Sequence, residues 1–132
     1  MASELRIVLG QLVRRLRSEN AVPTPHLTVL SRLDRGGPQT TSGLAAAERM
    51  RPQSMAQTVA ELEAEGLVDR RPDASDRRQV LLELTDAGRQ LLKEERRRRE
   101  SWLTTAIAEE LSPAEQKLLV EAIAILRRLT EL

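Results

Sequence analysis

The chain has 132 residues, of which 31% are charged, and its net charge at neutral pH is +1. A chain of this length holds one domain with a modest core, and the balanced charge gives no global sign of a nucleic-acid partner. The apolar residues are nearly all Leu, Val, Ile and Ala, with Trp102 the single aromatic, and this composition favours a helical core over a sheet sandwich.

The missing residue types exclude several classes of site. There is no cysteine, which excludes disulfides, thiol redox sensing and thiolate metal sites and fits a reducing cytoplasm. His26 is the single histidine, so no second imidazole completes a metal site. Arginines interrupt the N-terminal apolar residues, so we expect neither a signal peptide nor a membrane span there. With no phosphate-binding glycine loop and no isolated carboxylate pair, we expect no cofactor, no metal and no catalysis.

Two helices are predicted in the N-terminal part. The first covers residues 3 to 19, where leucines form one apolar stripe: Leu5, Leu9, Leu12 and Leu16. The segment from Asn20 to Pro23 breaks this helix. Thr24 is then expected to cap a second helix with Pro25 in its first turn, and Gly36-Gly37-Pro38 to end it.

Two short helices follow in close succession. Three hydroxyl residues could cap the first of them, which runs from Gly43 to about Met50: Thr40, Thr41 and Ser42. The second begins at Pro52, turns apolar residues inward, and ends at Gly66. Its other face carries small polar side chains: Gln53, Ser54 and Gln57. Two helices joined in this way indicate a helix-turn-helix.

A β-hairpin is predicted directly after that helix. Residues 67–71 and 79–84 have strand character, and the segment between them, from Pro72 to Arg78, has turn chemistry. A polar-faced helix beside an arginine-flanked hairpin indicates a winged helix, which can enter one DNA groove and touch the next.

The C-terminal part is predicted to form two more helices. Thr85 caps a long one that runs to about Glu110, and Ser112 opens a capping box for the last helix, which extends to Leu132. The long helix contains the run from Arg96 to Arg99, which looks like a nucleic-acid patch. Because consecutive residues point around the whole helix, a solvated connecting helix with the ion pairs Glu94–Arg98 and Glu95–Arg99 is the better interpretation.

The terminal helices carry wide leucine stripes at opposite ends of the sequence. We expect these stripes to pack together and then against a second copy, which predicts a homodimer. The alternative is a monomer in which the stripes face only one another. The predicted fold is mainly α (α+β), in a single domain over 1–132, with a winged-helix lobe at 24–85 and a helical dimerisation region at 1–20 and 86–132.

The assembled motifs resemble the MarR family of winged helix-turn-helix transcriptional regulators. The resemblance is carried by five stretches: Leu62–Arg70, Asp76-Arg77-Arg78, Leu82–Gly88, Leu44-Ala45 and Ser54-Met55. It covers essentially the whole chain. One departure concerns the helix-turn-helix turn, where Glu48 and Arg49 stand in place of an apolar residue and a glycine found in many relatives.

The resemblance implies roles for individual residues. The helix from Pro52 to Glu65 corresponds to the major-groove helix, with outward residues that can read base edges: Gln53, Ser54 and Gln57. Arg78 corresponds to the wing arginine that enters the minor groove, and Asp76 to the carboxylate that steadies it. The remaining hairpin arginines are phosphate or structural partners: Arg70, Arg71 and Arg77. Thr40 or Thr41 could offer a hydroxyl or amide to a phosphate.

The function implied is a sequence-specific, homodimeric DNA-binding regulator, expected to be a repressor of a pseudo-palindromic operator that a small-molecule effector releases. His26 and Trp102 are the candidate effector residues. The favoured alternatives are a first-turn surface or core histidine for His26 and a core or dimer-interface anchor for Trp102. The competing function is a winged-helix module that binds another protein instead of DNA, and an enzyme is a distant third.

Overall fold

The computed structural model describes all 132 residues, which form six helices and one two-stranded antiparallel sheet. In chain order the elements are α1 (Ala2–Arg17), α2 (Thr24–Gly36), α3 (Thr41–Ala47), α4 (Pro52–Ala64), β1 (Val68–Pro72), β2 (Val80–Leu84), α5 (Asp86–Glu110) and α6 (Pro113–Thr130). The mainly helical winged-helix fold expected from the sequence is therefore confirmed. None of the six helices combines the length and the apolar character needed to cross a bilayer.

Gly66 ends α4, as the sequence predicts. Its φ is 74°, a left-handed conformation that a residue without a β-carbon adopts at low cost. The amide of Gly66 donates to the carbonyl of Glu63 at 2.9 Å, and the amide of Leu67 donates to that of Leu62 at 2.9 Å. This pair of bonds is a Schellman motif, and it turns the chain directly from α4 into β1.

Side-chain caps fix the starts of α5 and α6. The Thr85 hydroxyl accepts from the Gly88 amide at 3.1 Å and donates to the Gly66 carbonyl at 2.7 Å, which joins the end of α4 to the start of α5. Ser112 and Glu115 form the expected capping box. The prediction that Thr24 caps α2 is wrong. Pro23 is the N-cap, with φ −54° and ψ 141°, and Thr24 is already the first helical residue.

The hydrophobic core is formed by the segment of the chain that runs from α2 to the first half of α5. Its 14 buried apolar residues extend along the sequence from Leu27 to Leu92 and come from α2, α3, α4, α5, the hairpin and Leu67. Leu82 also pairs with Gln39 outside the hairpin: the Leu82 amide donates to the Gln39 carbonyl at 2.7 Å, and the Gln39 amide donates back at 3.1 Å. This bridge, absent from the sequence prediction, ties the middle of β2 to the segment before α3.

The charged middle of α5 is only partly solvated. Glu95 is fully buried, and its carboxylate accepts the Ala21 amide at 3.1 Å, which holds the α1–α2 connection against α5. The pairs predicted for this segment, Glu94–Arg98 and Glu95–Arg99, do not form. Glu95 instead lies 4.0 Å from the Nε of Arg98, and Arg96 pairs with Asp34 of α2 at 3.1 Å. The prediction failed because one side of α5 packs against the lobe.

The terminal helices lie outside this core. Neither α1 nor α6 contains a buried residue. Large apolar side chains on both are exposed to solvent, some in the expected stripes and some outside them: Ile7, Val8, Leu9, Leu12, Val13, Leu118, Val120, Ile123, Ile125 and Leu129. The isolated chain therefore leaves the apolar faces of its two end helices largely uncovered.

Candidate nucleic-acid interface

The turn between α3 and α4 sets the position of every residue on α4. The Met50 amide donates to the Ala45 carbonyl at 2.9 Å, and the Arg49 amide donates to the Ala46 carbonyl at 3.3 Å. Arg49 has φ 53°, so α3 ends in the same Schellman geometry as α4, with arginine where glycine is the usual residue. The departure noted in the sequence therefore lies at the left-handed position itself, and the turn keeps an ordinary shape.

The two faces of α4 differ as predicted. Met55, Thr58, Val59 and Leu62 are buried against the lobe. The three residues proposed to read bases all lie on the exposed side: Gln53, Ser54 and Gln57. Gln57 donates to Glu61 one turn further on, at 3.4 Å. The start of α4 therefore offers solvent an amide, a hydroxyl and a second amide, groups that can donate to or accept from base edges.

Thr40 caps α3. Its hydroxyl accepts from the Gly43 amide at 3.0 Å and lies 3.2 Å from the Ser42 hydroxyl. Thr41 is the first helical residue, and its side chain makes no hydrogen bond within the protein. The helix begins at Thr41, two residues before the expected Gly43. Of the two threonines proposed to contact a phosphate, Thr40 has a structural role and Thr41 keeps an unused hydroxyl.

The wing is a regular hairpin closed by local hydrogen bonds. Val68 pairs with Leu84 at its base and Pro72 with Val80 near its tip. In the turn, the amide and hydroxyl of Ser75 donate to the Asp73 carboxylate at 2.9 and 2.8 Å. These bonds, the backbone one foremost, lower the pKa of Asp73 below its ordinary 3.8. The turn is thus ordered at neutral pH by an ionised carboxylate.

Asp76 and Arg78 lie together at the end of this turn. The Arg78 amide donates to the Asp76 carboxylate at 3.1 Å, while its guanidinium stays 3.9 Å from the same oxygen and is 96% exposed. Arg77 is also exposed and has no ion-pair partner. The wing therefore projects two arginine side chains into solvent from a backbone that Asp76 helps to hold.

The other arginines of the lobe divide into two groups. Three are paired with carboxylates of the protein: Arg70 with Glu63, Arg71 with Glu83, and Arg32 with Glu48. Four others are exposed and have no carboxylate within 4.0 Å: Arg35 at the end of α2, Arg49 and Arg51 just before α4, and Arg77 in the wing. Neither Arg49 nor Arg51 is among the residues expected from the sequence to contact DNA. For Arg49 the sequence does contain an indication, because an arginine is unusual at a turn position where many relatives have glycine.

The two candidate effector residues lie in different surroundings. His26 is buried, and its Nε2 lies 2.6 Å from a carboxylate oxygen of Glu61, while its Nδ1 has no partner. Trp102 is half-buried, and the guanidinium carbon of Arg15 lies 4.2 Å from its ring centroid. Trp102 borders an open depression of about 530 Å³ whose other lining residues are Glu19, Arg97, Arg98, Ser101 and Thr105. His26 is not part of that lining.

Known proteins are similar to this chain in sequence and in fold. Residues 22–80 match the MarR family. An uncharacterised HTH-type transcriptional regulator from Mycobacterium bovis is 36% identical, over 99% of this chain and 93% of that protein. The solved structure of a candidate transcriptional regulator from Pseudomonas aeruginosa aligns with a TM-score of 0.86 and 38% identity, over 99% of this chain and 94% of that one.

A third similarity concerns the fold alone. A variant of MepR from S. aureus, solved bound to an oligodeoxyribonucleotide, has a TM-score of 0.73 and 16% identity, over 97% of this chain and 96% of that one. The Mycobacterium bovis relative and the two structural matches extend over nearly the full length, so they include the terminal helices as well as the winged helix. The chain therefore belongs to the MarR family of helix-turn-helix transcriptional regulators.

Proposed function

We propose that this regulator binds a pseudo-palindromic DNA site as a homodimer, with α4 in the major groove and the wing in the adjacent minor groove. The observation that carries this proposal is the distribution of free cations. Within the lobe, Arg49 and Arg51 just before α4 and Arg77 in the wing have no carboxylate within 4.0 Å, and the same holds for Arg35 at the end of α2. Arg78 is 96% exposed and lies 3.9 Å from Asp76. In MepR, a protein of the same fold, the solved structure contains DNA.

The side chains on α4 suit base recognition. A glutamine amide can bind adenine through two hydrogen bonds, and a serine hydroxyl can donate or accept at several base edges. Arg78 suits the minor groove, where a narrow width deepens the negative potential that attracts a guanidinium. Arg77 and Thr41 would contact phosphates, which position the protein without reading sequence. Arg70, whose guanidinium pairs with Glu63, would support the strand.

The nearly neutral lobe is compatible with this role. From Glu48 to Arg78 there are six arginines and seven carboxylates, which on a simple sum would repel DNA slightly. Three of those carboxylates are already engaged, however: Glu48 by Arg32, Glu61 by His26 and Glu63 by Arg70. The charges of Glu48 and Glu63 are thus compensated by arginines of the lobe, and the arginines outside such pairs remain available to phosphates.

The homodimer is inferred from the uncovered end helices. Leu118 is 63% exposed and Leu129 56%, although both belong to the apolar stripe of the amphipathic helix α6. Contiguous apolar surface of this kind is normally buried against a partner. A second copy would cover α1 and α6 and place two α4 helices on one DNA face, about 10 base pairs apart.

Repression and its release follow from the same geometry. A dimer bound across promoter DNA would exclude polymerase from that DNA. A small ligand could bind more tightly to a form of the dimer whose α4 helices have a different spacing. Such a ligand would weaken DNA binding, and the size of the effect is set by how much more tightly the ligand binds that form than the DNA-binding form. Of the two candidate effector residues, Trp102 has an adjoining depression, and we place the effector there, with His26 in a structural role toward Glu61.

The proposal is tested by selecting bound sequences from a random DNA pool with the purified protein. We expect enrichment of an inverted repeat whose half-sites are centred about 10 base pairs apart. Recovery of no preferred sequence would contradict the proposal and favour the protein-binding module.

The dimer is tested separately with Ile123→Lys on α6, which should shift the mass in solution toward one chain. Glu121→Lys is the matched control, because that neighbouring side chain is already polar and exposed.

A further inference from the structure

We propose that Arg49 is an additional DNA-binding residue, which anchors the turn between α3 and α4 to a backbone phosphate. This inference rests on the DNA binding proposed above and extends it to a residue that neither the sequence motif nor the family resemblance assigns to DNA.

The first observation is the backbone of Arg49. It is the only non-glycine residue of the chain with positive φ, at 53°. In that conformation a β-carbon crowds the following carbonyl, so glycine adopts it at low cost, asparagine and aspartate tolerate it, and long side chains are rare there. The two other positive-φ residues, Gly37 and Gly66, are glycines. The chain therefore uses an unfavourable residue at the one turn that leads into α4.

The second observation is that the folded protein gains no contact in return. The Arg49 side chain is exposed and makes neither a hydrogen bond nor an ion pair within 4.0 Å. The nearest carboxylate in sequence, Glu48, is already bound by Arg32. An interaction outside the chain would offset the backbone cost of an arginine here, whereas no interaction inside the chain does.

The third observation is the location of the residue. Arg49 lies three residues before Pro52, where α4 begins, and four before Gln53, the first of the exposed polar residues. When the start of a helix enters the major groove, the turn before it faces the phosphates that border the groove. A guanidinium matches a phosphate with two parallel hydrogen bonds and stays charged at every physiological pH.

The experiment compares three variants, Arg49→Gly, Arg49→Asn and Arg49→Lys, with the wild type. Glycine and asparagine suit the left-handed backbone but remove the charge, whereas lysine keeps the charge. Affinity for the selected site and for an unrelated duplex of equal length is measured by fluorescence anisotropy at several salt concentrations. Melting temperatures are measured in the same buffers.

We expect Arg49→Gly and Arg49→Asn to melt no lower than the wild type and yet to bind both duplexes on the order of tenfold more weakly. The slope of log affinity against log salt should fall by about 0.9 per protomer, hence about 1.8 per dimer, because one counterion-releasing contact is lost from each. Arg49→Lys should keep most of the slope. Equal weakening on both duplexes is expected because a phosphate contact carries no sequence information.

Wild-type affinity and slope in both neutral variants would overturn the role of Arg49. If Arg78→Ala still weakened binding in the same assay, the proposed function would survive that result. A loss confined to the selected site, or a loss equally large in Arg49→Lys, would overturn the assignment to a phosphate. Failure of the wild type to bind either duplex would overturn both this inference and the proposed function.

Discussion

The Asp76 carboxylate holds the backbone of Arg78 and leaves its guanidinium free. It accepts the Arg78 amide at 3.1 Å, whereas the guanidinium Nε lies 3.9 Å away and is almost fully exposed. A weak, solvated ion pair of that length contributes little to folding. Asp76 therefore fixes the backbone from which Arg78 projects and leaves its guanidinium uncovered, as insertion into a minor groove would require.

Arg78→Ala should weaken binding to the selected site by about 1–3 kcal/mol while leaving the dimer intact. The lost guanidinium makes no strong contact within the protein, so the melting temperature should not change. Anisotropy titration at defined salt measures the affinity, and sedimentation measures the dimer. Arg71→Ala is the matched control: Arg71 lies on the same hairpin but pairs with Glu83 at 2.9 Å, so its loss of affinity should be smaller. Equal losses in the two variants would contradict the assignment of Arg78 to the groove.

Gly88→Ala should destabilise the fold by about 1–3 kcal/mol, because it overpacks the junction between α5 and the lobe. A β-carbon on Gly88 would lie 2.3 Å from the Leu67 carbonyl oxygen, a backbone atom that cannot move aside, and 2.9 Å from Leu84. Urea denaturation at fixed protein concentration measures the effect. Gly10→Ala provides the comparison, since its β-carbon would meet only the end of the Arg14 side chain at 3.5 Å. That variant should be at least as stable as the wild type, because alanine favours the helix.

Glu95→Ala should cost about 1–3 kcal/mol of stability, because it leaves the Ala21 amide without its acceptor. It should also loosen the α1–α2 connection from α5, which hydrogen exchange at Ala21 would detect. Glu94→Ala changes the preceding, exposed carboxylate and should stay within about 0.5 kcal/mol of the wild type. Faster exchange at Ala21 in both variants, or in neither, would show that Glu95 does not hold this connection.

The wing turn should lose stability in acid. Hydrogen bonds from Ser75 lower the pKa of Asp73 below 3.8. The stabilisation that the ionised Asp73 carboxylate gives the turn is therefore complete above the ordinary pKa of 3.8. It is lost as the pH falls through the lower pKa of the folded state. Ser75→Ala removes the hydroxyl donor but keeps the amide, so the pKa should move part of the way back toward 3.8 in an NMR titration. Glu115 is the internal reference, because its lowered pKa depends on Ser112 and should not move. An unchanged Asp73 pKa would contradict the role of the hydroxyl.

Local features of this fold could be predicted from the sequence because their causes are local. Gly66, Thr85 and Ser112 fix helix ends through bonds that reach only a few residues, and all three act as expected. The buried face of α4 follows from helical spacing alone. Thr24 is the exception among the caps. Its hydroxyl accepts from no amide of the first turn, since Pro23 already supplies the extended residue before the helix.

Long-range contacts could not be predicted in the same way. Glu95 reads as one charge among many, and only the packing of α5 against the lobe shows that it is buried and bonded to Ala21, 74 positions away. The Gln39–Leu82 bridge likewise joins two segments far apart in the chain. For the candidate interface, the sequence indicates which residues are polar. The structure adds which arginines are already paired, and this pairing separates Arg49 from Arg70.

The most direct test of the central claim is the mass of the complex between the wild-type protein and its selected DNA site, measured by native mass spectrometry. We predict two chains on one duplex, and loss of that complex when about five base pairs, half a helical turn, are inserted between the half-sites. One chain per duplex, or a two-chain complex that tolerates the insertion, would contradict a twofold arrangement in which both α4 helices read the same face of the DNA.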